Sequence, residues 1–222
     1  MNLMTVGLAG VAAFIVAYLF GSIPTGYLAG KILRGIDIRH HGSNSMGATN
    51  VLRTLGPLPA LAVFLIDVLK GVAAVYCGRA SFLWVDQILS NPSESTVTWV
   101  PWAISLTGLA ALLGHSLPVW LSFKGGKSIA AGLGVLLAMA WPIALGALAC
   151  FVVTLAICRI VSLGSILAAL TAIALIYGLD QPMPYRLFVT VGGVYVVFLH
   201  RANVRRLLAG QEPRLGQQPS KS

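Results

Sequence analysis

The chain has 222 residues, of which 57% are hydrophobic and only 9% are charged, and its formal net charge at pH 7 is +9. Soluble domains carry about 25% charged residues, so this composition excludes a water-soluble globular protein and predicts an integral membrane protein. The positive charge does not indicate a nucleic-acid-binding protein, because the basic residues lie in loops and the sequence contains no DNA- or RNA-binding module.

Seven apolar segments are candidate membrane spans, since a bilayer core of about 30 Å needs roughly 20 apolar residues in a helix. The first segment lacks a basic start and a small-residue cleavage site, so it is predicted to be a retained helix and not a signal peptide. Residues 131–158 form either one long tilted helix or two short ones, and Pro142 at their middle favours two. We predict spans near residues 3–28, 57–78, 100–121, 129–140, 142–158, 162–178 and 186–200.

The distribution of Lys and Arg orients these segments, because basic residues collect in cytoplasmic loops. With seven spans and an external N-terminus, only Arg79 and Arg186 face outwards, and Lys70 lies within a span. Six spans would place Arg159 and the basic C-terminal tail outside the cell, against this rule. We therefore predict an all-α integral membrane protein with about seven transmembrane helices, an external N-terminus and a cytoplasmic C-terminus.

The segments outside the membrane are too short to form a second domain, and no internal repeat divides the chain. We predict a single polytopic membrane domain over residues 1–208, followed by a cytoplasmic tail over residues 209–222. The largest external loop, residues 78–98, is polar, and its sequence indicates no function.

Three polar stretches share the predicted cytoplasmic face, at residues 30–56, 114–132 and 200–212. Each combines glycines, which let backbone N–H groups approach a ligand, with hydroxyls, amides and fixed positive charge. A phosphate monoester carries a charge of about −1.5 to −2 and three strong acceptor oxygens, so this combination predicts phosphate binding. Asp37 and Glu212 are the only carboxylates of these stretches, which argues against a metal site, and no cofactor is predicted.

The basic residues of these stretches are expected to differ in their roles. Lys124 and Lys127 flank Gly125 and Gly126 directly before a predicted helix start, where free N–H groups and the helix dipole favour an anion. The segment is not a nucleotide-binding P-loop, since Leu121 stands where that motif requires glycine. Basic residues beside spans are otherwise expected to act as orientation and headgroup anchors. This second group comprises Arg34, Arg205, Arg206 and Lys221.

Three ionisable residues in or beside the spans are open to two interpretations. His115, at the end of the third span, is either a general base or a buried hydrogen-bonding residue. Asp67 and Lys70 are three residues apart in the second span and would be neighbours on one helix face. Ionisable groups within a membrane are costly and often functional, but a mutually neutralising structural pair explains them equally well.

Four motifs in this order resemble those of the PlsY family of acyl-phosphate-dependent glycerol-3-phosphate acyltransferases. They are "GSIPTGYLAGK", "GSNSMGATNVLRTLG", "GHSLPVWLSFKGGKS" and "HRANVRRLLAGQE". The resemblance extends over nearly the whole chain, from the first span to Glu212. It implies a bacterial inner-membrane enzyme whose active site faces the cytoplasm. Its reaction would be the first acylation of phospholipid synthesis, from fatty acyl phosphate to the 1-hydroxyl of glycerol 3-phosphate, giving lysophosphatidic acid and inorganic phosphate.

The resemblance also implies site residues and partners. Its catalytic residues would be Ser43, Arg53, Lys127 and His200. Its substrate-binding residues would be Thr49, Asn50, Gly125, Gly126, Ser165, Asn203 and His115. The implied partners are glycerol 3-phosphate, fatty acyl phosphate and membrane lipids, with the enzyme that produces acyl phosphate as a further candidate and no nucleic acid.

The sequence departs from the family in its second and third motifs. Asn44, Ser45 and Met46 replace a usual Gly-Asn-Pro, and Asn44 is expected to keep the left-handed turn, because Asn tolerates that conformation. In the third motif Ser128 follows Lys127, and we expect Ser128 to cap the next helix.

An acyl phosphate is an activated mixed anhydride, so a hydroxyl can attack its carbonyl without a covalent enzyme intermediate. No Gly-x-Ser-x-Gly motif and no His-x4-Asp arrangement is present in the sequence, and we predict that a substrate phosphate accepts the hydroxyl proton. The rival hypothesis is a phosphate or sugar-phosphate transporter. Carriers commonly show paired repeats with binding near the membrane midplane, whereas these motifs gather on one face.

Overall fold

The computed structural model describes residues 3–88 and 94–216, and within these two ranges every regular element is helical. The α-helices are α1 (Leu3–Ser22), α2 (Thr25–Arg34), α3 (Ala48–Leu55), α4 (Pro57–Ile88), α5 (Glu94–Ser116), α6 (Ile129–Met139), α7 (Trp141–Cys158), α8 (Val161–Gly178), α9 (Met183–Leu199) and α10 (Arg201–Leu208). Short 3₁₀ helices lie at Ile38–His40 and Val119–Leu121.

The helices confirm an all-α integral membrane protein, and each of the seven predicted spans overlaps at least one of them. In the described ranges, five helical segments are long and apolar enough to cross a membrane. A sixth is added if α9 and α10, which are bent by 58° at His200, form one span. Helix α6 is apolar but has only 11 residues. The number of seven crossings and the orientation of the termini therefore stay predictions.

Proline explains where the observed helices depart from the predicted spans. The first span is broken between α1 and α2, because Pro24 lacks the N–H that a continuous helix would need there. Pro142 similarly lies in the first turn of α7, directly after α6, and the break between the two confirms two helices in residues 131–158. Helix α4 continues to Ile88, so much of the predicted external loop is helical; residues 89–93 lie outside the described ranges.

Small residues let the helices pack at close range. A Cβ added to Gly21 of α1 would overlap the backbone of Ala111 in α5, and one added to Gly134 of α6 would overlap the backbone of Val68 in α4. Membrane helices associate through such small-residue contacts, since lipid supplies no hydrophobic drive for one helix to meet another. Large apolar side chains such as Ile157, which is 77% exposed, cover the outside of the bundle.

Candidate active site

A cavity of about 870 Å³ lies where the three polar stretches meet. Residues 42–53 line one part of it, residues 127–130 another, and His200 to Pro213 a third. Phe64 and Asp67 of α4 and Phe151 of α7 complete the wall together with the first turn of α8. Segments far apart in sequence therefore line one open cavity that is rich in polar side chains.

The side chain of Asn50 organises the loop that precedes α3. Its Nδ2 donates to the carbonyls of Ile38 (3.0 Å), His41 (3.0 Å) and Ser45 (2.6 Å), while its Oδ1 accepts from the backbone N–H of Ser43 at 2.8 Å. These bonds occupy the amide, so Asn50 shapes the loop, and the hydroxyl of Ser43 is held at the cavity wall. The left-handed conformation expected for Asn44 is confirmed, since its φ is +55°.

Among the described helices, four begin at the cavity wall, and only the start of α6 was predicted from the sequence to favour an anion. The lining includes Thr49 in the first turn of α3, Ile129 at the start of α6, Ser162 at the start of α8 and Asn203 in the first turn of α10. The first N–H groups of a helix have no intrahelical acceptor, and the helix dipole adds partial positive charge there. The backbone alone therefore makes this cavity favourable for anions.

Lys127 connects the second and third polar stretches. Its ammonium group donates to Oδ1 of Asn203, 76 residues further along the chain. Burial lowers the pKa of Lys127 to about 8; Glu212 opposes this shift, and the positive charges of Arg206 and Arg53 add to it. The lysine is thus a cation whose charge changes within the pH range of ordinary assays.

Glu212 gathers donors from two helices at the cavity edge. It accepts from the hydroxyl of Ser162 at 2.6 Å, from Nδ2 of Asn203 at 2.6 Å and from Nε of Arg206 at 2.7 Å. Burial would raise the pKa of this carboxyl, but these three hydrogen bonds outweigh it and leave the pKa below its usual value. The last part of the described chain is further fixed by the N–H of Leu215, which donates to the carbonyl of Arg159 at 2.6 Å.

Sequence reasoning missed this cluster. Arg206 was expected to be a headgroup anchor, but it lines the cavity. The available signal was Glu212 itself, a lone carboxylate in a strongly basic stretch.

The paired glycines before Lys127 do not line the cavity, although they were predicted to bind substrate. The N–H groups of Gly125 and Gly126 donate to the carbonyls of Ser116 and His115, each at 3.0 Å, so they are not available to a ligand. A Cβ on Gly126 would meet Nε2 of His115. These glycines therefore allow the loop to pack against the end of α5.

The prediction that the side chain of Ser128 caps α6 is also wrong. Ser128 does occupy the N-cap position of α6, but its hydroxyl donates to the carbonyl of Leu112 at 2.8 Å. The capping hydrogen bond does not form because Ser128 has a left-handed backbone, with φ +59°, and its side chain turns towards α5.

A buried polar cluster adjoins the cavity, and two of its members, Asp67 and His115, line it. Asp67 accepts from the hydroxyl of Thr25 at 2.7 Å and lies 2.9 Å from the ammonium group of Lys70, which confirms the expected i,i+3 pair. Lys70 also donates to the carbonyl of Ile23, at the break between α1 and α2, at 3.1 Å. His115 places Nδ1 3.6 Å from Oδ1 of Asp67, and this nitrogen is buried without a hydrogen-bond partner.

The structure brings nearly all predicted site residues to one cavity. The imidazole Nδ1 of His200 lies 2.8 Å from the carbonyl of Val196, so it carries the proton and leaves Nε2 as the acceptor of the neutral ring. The hydroxyl of Ser165 donates to the carbonyl of Val161 at 2.9 Å. Lining the cavity are Ser43, Thr49, Asn50, Arg53, His115, Lys127, Ser165, His200 and Asn203.

Known proteins resemble the chain over nearly its full length. The sequence model of a family described as glycerol-3-phosphate acyltransferase matches residues 11–210. Glycerol-3-phosphate acyltransferase 2 of Rhizobium johnstonii is 61% identical over 216 residues, covering 96% of this chain and 99% of that protein. The glycerol-3-phosphate acyltransferase of Acaryochloris marina is 51% identical over 209 residues, covering 94% of this chain and 93% of its own.

Two solved structures have the same fold. One is the crystal structure of PlsY (YgiH), an integral membrane glycerol 3-phosphate acyltransferase, in its glycerol 3-phosphate form; it has a TM-score of 0.78 and 36% identity, over 93% of this chain and 96% of that one. The other is the lysophosphatidic acid form of PlsY, with a TM-score of 0.75 and 35% identity, over 93% of this chain and 95% of that one.

Proposed function

The chain belongs to the glycerol-3-phosphate acyltransferase family, and from this membership we propose that it transfers a fatty acyl group from acyl phosphate to the 1-hydroxyl of glycerol 3-phosphate. The products are lysophosphatidic acid and inorganic phosphate. The observation that carries the proposal is a polar cavity with several cations and four helix N-termini that opens into an apolar groove. Such a combination suits reactants that are phosphorylated at one end and aliphatic at the other.

Side-chain cations and helix N-termini together make the cavity favourable for phosphate. Arg53, Lys127 and Arg206 supply three side-chain cations, and only Asp67 and Glu212 among the lining residues oppose them. Both carboxylates are already paired with cations, Asp67 with Lys70 and Glu212 with Arg206. The remaining charge is available to substrate, and we assign the phosphate of glycerol 3-phosphate to Ser43, Arg53 and Lys127, beside His200.

The donor phosphate is assigned to a second set of lining residues. Thr49, Ser165 and Asn203 line the cavity. Thr49 offers a hydroxyl, Asn203 keeps one amide N–H beyond the one that it donates to Glu212, and Ser165 would turn its hydroxyl away from the carbonyl of Val161 to reach the phosphate. The first turns of α3 and α10 add backbone donors. Asn203 also holds Lys127, so the lysine lies between the two proposed phosphate positions and reduces their mutual repulsion.

The apolar groove offers a place for the acyl chain. It shares Phe64, Phe151 and Ser165 with the polar cavity and continues between α5, α6, α7, α8 and α9. A reactant whose phosphate lies in the cavity would thus extend its chain into the groove, with the acyl carbonyl at the junction.

The reaction then needs no covalent intermediate. The 1-hydroxyl oxygen forms a bond to the acyl carbon, the bond from that carbon to the phosphate oxygen breaks, and phosphate leaves with the electron pair. The hydroxyl proton passes to a substrate phosphate. Holding the two reactants in attack geometry lowers the barrier by up to about 7 to 11 kcal/mol. The cations and helix N–H groups stabilise the charge that develops on the carbonyl oxygen.

We also propose that the cavity faces the cytoplasm of a bacterial inner membrane. Three helix pairs, α4–α5, α6–α7 and α8–α9, each connect one segment that lines the cavity to the next, so both ends of each pair lie on the cavity side. Helix α1 has no such partner. This pattern supports termini on opposite sides, and the positive-inside rule assigns the basic C-terminal side to the cytoplasm. Single cysteines at Asn2 and Leu208 in a cysteine-free variant, treated with a membrane-impermeant thiol reagent in intact cells, test this: only the cysteine at residue 2 should react.

Acyl transfer by the purified protein tests the function. With palmitoyl phosphate and labelled glycerol 3-phosphate, we expect labelled lysophosphatidic acid and an equal amount of released phosphate. Substitution of His115 or His200 by Asn should leave measurable chemistry if the proton goes to a substrate phosphate. If the reaction rate of the unmodified protein depends on the titration of a side chain, and either variant loses the chemical step but still binds substrate, the proton would be assigned to a protein base. Uptake of glycerol 3-phosphate into vesicles without acylation would favour the transporter.

A further inference from the structure

Two glycines face the apolar groove without being needed for helix packing. A Cβ on Gly132 of α6 would lie 3.9 Å from Cδ2 of Leu112, and a Cβ on Gly192 of α9 would lie 3.7 Å from the same atom, with no nearer neighbour at either position. Both glycines line the groove, and Gly192 is buried, so the space beside it lies inside the bundle. Glycine is unfavourable within a helix, and at these two positions the open space beside the backbone explains its presence.

Other glycines of the same helices have a different role. A Cβ on Gly193 would press on the side chain of Ile173, and one on Gly134 would overlap the backbone of Val68. Those two glycines permit helix–helix contact. Gly132 and Gly192 instead leave the groove open at one level, where α5, α6 and α9 approach one another around Leu112.

The depth of this level suits an acyl chain. Gly132 is four residues beyond Ser128, about 6 Å along α6, and Gly192 is eight residues before His200, about 12 Å along α9. The two distances differ because they are counted from different residues, whereas both glycines lie beside the same atom of Leu112. The groove continues to Phe188, about 18 Å from His200 along α9. Half of a bilayer hydrocarbon core is about 15 Å thick, so the groove is as deep as the chain of one membrane lipid is long.

We propose that Gly132 and Gly192 determine which acyl chain lengths the enzyme accepts, by keeping the groove open past Leu112, and that Phe188 limits the chain at the far end. This inference rests on the proposed function, because it takes the acyl chain of the donor as the occupant of the groove. Added methyl groups at the two glycines would stop long chains and leave short ones unaffected.

The test compares Gly132→Ala, Gly192→Ala and their double variant with Gly10→Ala. The control makes the same exchange in α1, where no atom lies within 4 Å of the added Cβ. For each protein, kcat/KM is measured with hexanoyl, decanoyl and palmitoyl phosphate. We expect the double variant to lose about tenfold with palmitoyl phosphate and less than twofold with hexanoyl phosphate, since a methylene that no longer fits costs roughly this much.

The Phe188→Ala variant tests the same proposal in the opposite direction. It removes a side chain from the end of the groove and should shift the preferred donor to longer chains, which a general loss of stability would not do. An unchanged ratio between long and short donors, or an equal loss with all three, would overturn the inference. Absence of acyl transfer in the unmodified protein would instead refute the proposed function.

Discussion

The charge of Lys127 should control how the affinity for glycerol 3-phosphate varies with pH. Burial lowers the pKa of this lysine to about 8; Glu212 opposes the shift, and Arg206 and Arg53 increase it. The ammonium form is present below pH 8 and is lost as the pH rises through 8. The substrate phosphate is already doubly charged there, since its second pKa is about 6. We therefore expect KM for glycerol 3-phosphate to rise above pH 8.

Lys127→Arg is the matched variant for this prediction. Arginine keeps its charge at every pH of the assay, so the rise in KM between pH 7 and 9.5 should disappear, although activity falls because the guanidinium differs in shape. Initial rates at several glycerol 3-phosphate concentrations give KM at each pH. A rise in KM that persists in Lys127→Arg would mean that another group titrates.

Glu212 should contribute to stability as well as to the position of Lys127. Glu212→Ala removes the acceptor of Ser162, Asn203 and Arg206, and a hydrogen bond to a charged group contributes about 1.5 to 3 kcal/mol. Because the side chain is only 6% exposed, we expect a loss of about 2 kcal/mol, seen as a lower Tm in detergent. Glu212→Gln keeps an acceptor and should lose less, and equal losses in both variants would argue against hydrogen bonding as the cause.

At the scale of an element, the loop before α6 should be sensitive to a single methyl group. In Gly126→Ala the added Cβ meets His115, so the loop must move away from α5 and carry Lys127 with it. A displacement of about 1 Å at a catalytic group costs roughly 100-fold, and we expect kcat/KM to fall by this factor while the protein stays folded. Gly178→Ala, at an open position in α8, is the control. Normal activity of Gly126→Ala would show that the loop tolerates the shift.

The same loop illustrates what sequence can predict about an element. Glycine and lysine before an apolar run correctly indicate a loop at the start of a helix with Lys127 at the cavity. The destination of the glycine N–H groups was not predictable, because their acceptors, the carbonyls of His115 and Ser116, come from the preceding helix end. The break at Pro24 was predictable in principle, but the apolar composition of residues 3–28 made them resemble one span.

At the scale of the whole molecule, hydropathy predicted the long apolar helices, because the length and composition of apolar runs are local properties, but it did not predict α3 or α10 and joined α1 to α2. The meeting of four helix N-termini and the contact of Glu212 with Ser162 depend on how distant segments pack. Such contacts follow from tertiary structure and leave little trace in a single sequence. The residue types of the site were therefore predictable, whereas the partners that hold them were not.

The buried cluster around Asp67 joins three elements and should be important for the stability of the whole bundle. Thr25 of α2, Lys70 of α4 and His115 of α5 all lie around this carboxylate, and Lys70 also binds the carbonyl at the α1–α2 break. Removing one member of a buried ion pair leaves an uncompensated charge and costs about 3 to 5 kcal/mol, but replacing both members with apolar groups is often nearly neutral.

A double-mutant cycle separates the two interpretations of this pair. We expect Lys70→Met and Asp67→Leu each to destabilise the protein by about 3 kcal/mol, seen as a lower Tm in detergent, and Asp67→Leu/Lys70→Met to recover most of the loss. Because neither residue is assigned to substrate, the double variant should keep acyl transfer to the extent that it folds. If it recovers its stability but has no activity, the cluster acts in the reaction through Asp67 or His115, which line the cavity, and the purely structural interpretation fails.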